Sequence, residues 1–248
     1  MVDVFEEVEE QLRSDRYRTL ARKYLPGVLG VLALVLVIFL GWWGYTAYKA
    51  KAAERASQAY AEGLDKLEHG DTGGAFLAFA MSAKGSSPAY RYLALMQQGG
   101  IRLNANDPAQ AANLFDEAAK AAPDQPLGDA ARLKSALAVL DTASYADLEA
   151  RLTPLADAKR PYHALAKEAL AMTKLRFGKV AEARKDFVVL SLTEDAGDDM
   201  RQRAKIALTV IDSGAAAGIP ATVKAALSAP TPPPSAPAVQ QSQPGAAQ

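Results

Sequence analysis

Residues 99–123 decide the fold of this chain, and they read GGIRLNANDPAQAANLFDEAAKAAP. The turn Asn106-Asp107-Pro108 predicts the start of a helix, because Asn and Asp favour turns and Pro fits the first helical position. The helix then carries small and aromatic residues at helical spacing, namely Ala111, Phe115 and Ala118. Pro123 follows its end. Gly99, 12 residues before Ala111, predicts a close approach to the preceding helix. The stretch therefore indicates two antiparallel helices packed through a glycine and a phenylalanine.

The same pattern occurs at two other places in the sequence. Gly70-Asp71 precedes Ala75 and Phe79, with Gly63 in the place of Gly99, and Gly178-Lys179 precedes Ala183 and Phe187. In each copy the turn residue, the alanine and the phenylalanine stand at offsets 0, 5 and 9, and the turn residues are 36 and 72 residues apart. Helix pairs that recur at a fixed period bury their apolar faces against their neighbours. The spacing predicts a stack of helix pairs with these residues in its core.

A weaker copy of the pattern is predicted at residues 143–160, where Leu148, Leu152 and Leu155 replace the Ala and Phe positions. Apolar periodicity and turn residues then define the helices of the whole region. The predicted helices are 49–69, 73–84, 88–104, 108–121, 127–141, 145–157, 161–177, 179–192 and 198–212.

A long apolar segment precedes the repeats. No charged residue lies between Lys23 and Lys49, and residues 26–48 as a helix would measure roughly 34 Å, enough to cross a hydrocarbon core. The segment ends in aromatic residues of the kind found at membrane interfaces: Trp42, Trp43, Tyr45 and Tyr48. The sequence thus predicts a transmembrane helix over residues 25–48, after a leader at 1–24 and before the repeat domain at 49–212.

The positive charges beside this segment predict its orientation. Five of them precede it within residues 13–23 and three follow it within residues 49–55, which favours a cytoplasmic N-terminus. A cleaved signal peptide is the alternative, because Ala50-Lys51-Ala52 matches a cleavage site. The leader of more than 20 residues and the long apolar run favour an uncleaved anchor.

Residues 213–248 are rich in Ala, Pro, Ser and Gln, which predicts a disordered tail with a possible short helix at 221–227. The Pro tract Ala229–Pro234 is interpreted either as a partner-binding peptide or as part of a flexible extension.

The sequence predicts no catalytic, cofactor-binding or metal-binding residues. The chain has no cysteine, and its two histidines, His69 and His163, lack a second ligand at helical spacing. Motifs for phosphate loops, nucleophile elbows and dinucleotide folds are absent. Lys plus Arg equals Asp plus Glu, at 28 each, so no basic surface for nucleic acid is expected.

The pattern of Gly99, Ala111, Phe115, Ala118 and Pro123 resembles the tetratricopeptide repeat. This resemblance implies an all-α fold in which the N-terminal transmembrane helix is followed by an α-solenoid of tetratricopeptide-like helix pairs. In such arrays the first helix of each pair lines a groove for peptides or helices. Mapped onto this sequence, the groove residues would be Tyr60, Leu64, Met96, Glu168, Met172 and Arg176. Packing within the solenoid is the alternative role for them.

The wider layout resembles the YfgM-like family of ancillary Sec-translocon subunits of Gram-negative bacteria. The similarity includes the acidic-then-basic leader, the span ending in Gly41-Trp42-Trp43, the stem Ala53–Ser57 and the segment Ser87–Gln98. It implies a single-pass inner-membrane protein with a periplasmic domain that associates with the SecYEG translocon, with periplasmic chaperones or foldases and with exported chains. The expected function is that of a non-catalytic adaptor. A scaffold for another envelope complex, in cell division or cell-wall synthesis, is the alternative.

Overall fold

The computed structural model describes the backbone of residues 4–85, 87–194 and 196–228, and the side chains from Tyr24 onward except at 25, 26 and 28. The described residues are all-α, as predicted. Their α-helices are α1 (Val4–Glu68), α2 (Thr72–Lys84), α3 (Pro88–Asn104), α4 (Pro108–Ala121), α5 (Gln125–Ala138), α6 (Tyr145–Leu152), α7 (His163–Arg176), α8 (Val180–Leu192), α9 (Asp198–Asp212) and α10 (Ile219–Ser228). The chain forms two compact units, residues 1–94 and 95–248.

Helix α1 contains both the apolar segment and the first helix of the first repeat. From Leu29 it is long and apolar enough to cross a membrane, with a mean hydropathy of 2.0 over 18 residues. The sequence predicted a membrane helix at 25–48 and a repeat helix at 49–69, and in the structure both belong to one unbroken helix. Residues 46–62 contain neither Gly nor Pro, so nothing in the backbone interrupts the helix where the apolar segment gives way to charged residues.

The three predicted turns have the same backbone geometry. Gly70, Asn106 and Gly178 all adopt a positive φ, of 79°, 58° and 75°. In each turn the next residue donates its N–H to a carbonyl five positions earlier, at 2.8–2.9 Å. This is the usual left-handed end of a helix, which Gly and Asn tolerate best. The repeat period read from the sequence is therefore a period in the structure.

Each glycine of the first two repeats touches the ring of its phenylalanine. A Cβ built on Gly63 would lie 2.6 Å from Phe79, and one built on Gly99 would lie 2.5 Å from Phe115. Both distances are shorter than any allowed carbon contact, so only a residue without a side chain fits there. The remaining pattern residues are buried as well: Ala75, Ala111, Ala118, Ala183 and Phe187.

The third repeat is shorter than predicted. Helix α6 ends at Leu152 and continues as a 3-10 turn over Thr153–Leu155, whereas the sequence predicted a helix to residue 157. Pro154 has no N–H to donate and its ring disfavours a longer helix. Leu148, Leu152 and Leu155 are nevertheless buried.

The first part of the predicted tail is helical. A 3-10 helix at Ala215–Gly218 leads into α10, and the chain turns by 86° between α9 and this segment. Ala216 is buried in the same apolar cluster as Phe187, and Ile219 packs against that cluster. These contacts order residues that composition alone assigned to a tail. Residues 229–248, which carry the predicted disorder and the Pro tract, lie outside the described residues.

Candidate partner-binding surfaces

Three of the predicted groove residues lie one above another on α7. Glu168, Met172 and Arg176 are spaced four apart, so they share one face of the helix. Glu168 accepts two hydrogen bonds from Arg203 of α9, at 2.7 and 2.9 Å, and its side chain is 15% exposed. Met172 is 46% exposed. The described part of this face thus presents an apolar side chain between two charged ones.

Arg176 holds the end of α5. Its guanidinium donates to the backbone carbonyls of Leu140 and Asp141, which follow the last turn of that helix. Carbonyls at a helix C-terminus lack partners within the helix, and a cation stabilises them. The sequence did not indicate this contact, because it joins residues 35 and 36 positions apart.

We expect Arg176→Met to lower the free energy of unfolding by about 1–2 kcal/mol, since it removes charged hydrogen bonds to two carbonyls. Met172→Ser on the same face should change it by less than about 0.5 kcal/mol, because Met172 is half exposed. Urea denaturation of the purified protein measures both. Equal stability of the two variants would show that the Arg176 contacts contribute nothing.

The other predicted groove residues are partly buried. In the first unit the ring of Tyr60 packs 5.3 Å from Phe79 and 6.0 Å from Tyr90, between ring centroids. Leu64 in that unit and Met96 in the second are both of intermediate exposure. Tyr60 therefore contributes to packing, and whether any of the three side chains contacts a partner stays a prediction.

Within the first unit and outside its apolar segment, the most exposed large apolar side chains lie on α2, and sequence reasoning missed them. Leu77 is 67% exposed and Met81 is 66% exposed, one helical turn apart. The opposite face of α2 is buried against α1, where Ser82 donates a 2.8 Å hydrogen bond to the carbonyl of Ala56. Helix α2 is therefore apolar on both sides, whereas a surface helix normally has a polar outer face.

The repeat period shows that the fold does not require this apolar face. Shifted by 36 residues, Leu77 and Met81 correspond to Asn113 and Glu117 of α4, which are exposed and polar. In α8 the corresponding residues are Lys185 and Val189. The same structural position thus accepts polar residues, and a comparison of the repeats with one another would have found Leu77 and Met81 from the sequence.

The buried charges have structural partners. Asp129 of α5 is 0% exposed and accepts hydrogen bonds from Arg160 at 3.0 and 3.1 Å and from Arg132 at 3.0 Å. Arg151 likewise contacts Asp116 at 3.0 Å and the hydroxyl of Ser135 at 2.8 Å. A buried carboxylate neutralised by two arginines ties the loop after the third repeat to α5.

The histidines contact the backbone near the ends of helices. His69 Nδ1 lies 2.8 Å from the carbonyl of Asp65, and His163 Nδ1 lies 2.9 Å from that of Arg160. Within the described part of the chain no three His, Cys, Asp or Glu residues are grouped so that they could hold a metal ion.

Recurrent helix pairs, a shared turn geometry and a helical core define a helical-repeat protein, a class that presents extended surfaces to other proteins. The chain belongs to the tetratricopeptide repeat-like domain family, whose profile matches residues 21–210. The match includes the apolar part of α1 and extends into α9. No curated protein and no solved structure shows significant similarity to the chain.

Proposed function

We propose that this protein is a membrane-anchored, non-catalytic adaptor that binds protein partners at the Sec translocon through its first repeat. The fold supports a protein-binding scaffold in general. The observation that carries the proposal further is the apolar outer face of α2, formed by Leu77 and Met81. Exposed apolar side chains that the fold does not require favour a contact with another protein.

The position of this face favours a partner at the membrane surface. Helix α2 packs on the same helix that contains the apolar segment, and its C-terminal end is tied to Ala56. Ala56 lies eight residues after Tyr48, about 12 Å along the helix axis. If α1 spans the membrane, the Leu77–Met81 face stands just above the interface, on the side where exported chains emerge.

The Sec assignment rests on the similarity of the leader, span and stem to YfgM-like proteins. In this proposal the protein is anchored in a bacterial inner membrane with its N-terminus cytoplasmic and its repeat domain periplasmic. Its partners are translocon subunits, periplasmic chaperones or foldases, and exported chains. The α7 face with Glu168, Met172 and Arg176 is proposed as a second contact region. Further partner contacts are proposed at Met96 of the same unit and, separately, at Tyr60 and Leu64 of the first unit.

In-cell photo-crosslinking tests this function. A photoreactive amino acid at Leu77 or Met81 is expected to capture Sec subunits, periplasmic foldases or exported chains. The same amino acid at Asn113 or Glu117 is the matched control, because these positions have the same place in the next repeat. Repeated capture of a cell-division or cell-wall complex with no Sec component would overturn the Sec assignment.

The double variant Leu77→Asn, Met81→Glu should reduce this capture at least tenfold when the photoreactive group is placed at Lys84, which is exposed and lies one helical turn after Met81. It introduces the residues that α4 carries at the same positions, so the melting temperature should remain within about 2 °C of the unmodified protein. Mass spectrometry of the crosslinks and circular dichroism of the purified variant measure the two effects. Unchanged capture at normal stability would exclude the α2 face as the binding site.

A further inference from the structure

A groove of about 410 Å³ lies between the C-terminal end of α7 and helix α10. Phe177, the residue after α7, forms one wall, and Pro220, Val223 and Leu227 of α10 form the other. Lys224 and Ser228 complete the α10 side. The groove lies wholly within the second unit.

The apolar side of α10 is covered at one end and open at the other. Ile219, Val223 and Leu227 are spaced four residues apart and form one stripe along the helix. Ile219 packs against the core cluster, Val223 is of intermediate exposure and Leu227 is 53% exposed. Since no residue of α10 is fully buried, the stripe has room for another apolar segment.

The opposite wall is aromatic. Phe177 is 40% exposed and meets the ring of Tyr145 edge to face, with 5.7 Å between the centroids. Burial raises the pKa of Tyr145, and its hydrogen bond to Glu149 acts in the same direction. An exposed aromatic ring beside an apolar helix is the kind of surface that binds polyproline segments.

We propose that this groove binds the Pro-rich segment of the same chain, residues 229–240. The segment begins at the groove, because Ser228 is one of the residues that line it. Its sequence, APTPPPSAPAVQ, has five prolines and no charged residue. Because the segment carries no charge, its removal from water has a small desolvation cost. As a polyproline helix it also loses little conformational entropy on binding.

The length of the segment suits this position. As a polyproline helix, residues 229–234 measure about 19 Å, and α10 with its ten residues measures about 15 Å. A turn after Ser228 would therefore bring the three consecutive prolines, Pro232–Pro234, back along Leu227 and Val223. The exposed ammonium of Lys224 can donate to their carbonyls, which have no partner within a polyproline helix.

Covalent attachment favours this occupant over a peptide from elsewhere. A short linker gives the segment an effective concentration in the millimolar range, so weak contacts suffice for occupancy. Arg176 also lines the groove, and it belongs to the α7 face. If the α7 face binds partners, which rests on the proposed function, the docked segment covers the end of that face at Arg176.

Peptide binding to two forms of the protein tests the inference. A fluorescent peptide with the sequence of residues 229–240 is titrated into the full chain and into a chain that ends at Ser228, both in detergent. The shortened chain should bind the peptide, and the full chain should bind it at least tenfold more weakly. Equal binding to both forms, or no binding to either, would overturn occupancy by the chain's own segment.

Variants of the shortened chain locate the site. Leu227→Ser is expected to weaken peptide binding at least fivefold, and it leaves folding intact because the side chain is already half exposed. Val189→Ser removes an exposed apolar side chain of α8 that does not line the groove, so it is the matched control and should bind normally. Equal loss in both variants, or no loss in either, would place the peptide elsewhere. The assay contains no other protein, so its outcome is independent of the Sec assignment.

Discussion

Phe115→Ala is expected to lower the free energy of unfolding by about 3–5 kcal/mol. The Phe115 ring is 2% exposed and lies against Gly99 of the preceding helix. Truncation loses the free energy of transferring the ring out of water, and the cavity that remains between the two helices adds a further cost. Urea denaturation in detergent measures the change.

Leu137→Ala is a suitable control for Phe115→Ala. Leu137 lies in α5 of the same unit and is half exposed, so its truncation should cost about 1 kcal/mol or less. A cost for Phe115→Ala no larger than that of the control would mean that the second repeat is not held together by this ring.

The two adjacent glycines of α3 should respond to alanine in opposite directions. A Cβ on Gly99 would meet the Phe115 ring at 2.5 Å, whereas one on Gly100 would meet nothing within 4 Å. Gly99→Ala is therefore expected to destabilise the protein by about 1–3 kcal/mol through overpacking. Gly100→Ala should stabilise it by about 0.5–1 kcal/mol, because alanine favours the helix.

Thermal unfolding followed by circular dichroism distinguishes the two glycine variants, since 1 kcal/mol corresponds to about 2–4 °C in a domain of this size. A double variant, Gly99→Ala with Phe115→Leu, should recover part of the loss because the smaller side chain makes room for the methyl group. The same sign for both single variants would contradict the helix contact at Gly99.

The features predicted best from the sequence are those encoded by local signals. A turn residue, a cap and a following apolar residue lie within ten positions of one another, so the spacing of residues along the chain is enough to align Gly70, Asn106 and Gly178. The all-α fold follows from the same alignment. No helix ends at the domain boundary predicted at residue 48, because a change from apolar to charged residues changes the surroundings of a helix without breaking it.

Long-range contacts could not be predicted in this way. The hydrogen bonds of Arg176 to the end of α5 and of Arg160 to Asp129 join residues more than 30 positions apart. The sequence alone does not distinguish an arginine that faces solvent from one that donates to a distant carbonyl or carboxylate. The sequence placed a short helix at 221–227 but missed the 3-10 helix before it, because Ala216 and Ile219 are held by packing on a distant cluster. The groove residues proposed from the repeat pattern remain predictions, and the exposure of Leu77 and Met81 adds a candidate surface.

Because α1 is unbroken, the apolar segment and the first helix of the first repeat change direction together. From Tyr48 to Glu68 the helix continues for about 30 Å without a break. If α1 spans a membrane as proposed, a tilt of about 10° at the bilayer would move its far end by about 5 Å. A change in bilayer thickness, or contact of a neighbouring helix with the apolar segment, would thus displace Leu77 and Met81. A domain joined to its anchor by a flexible linker would not follow such a tilt, whereas a repeat that shares the membrane helix would.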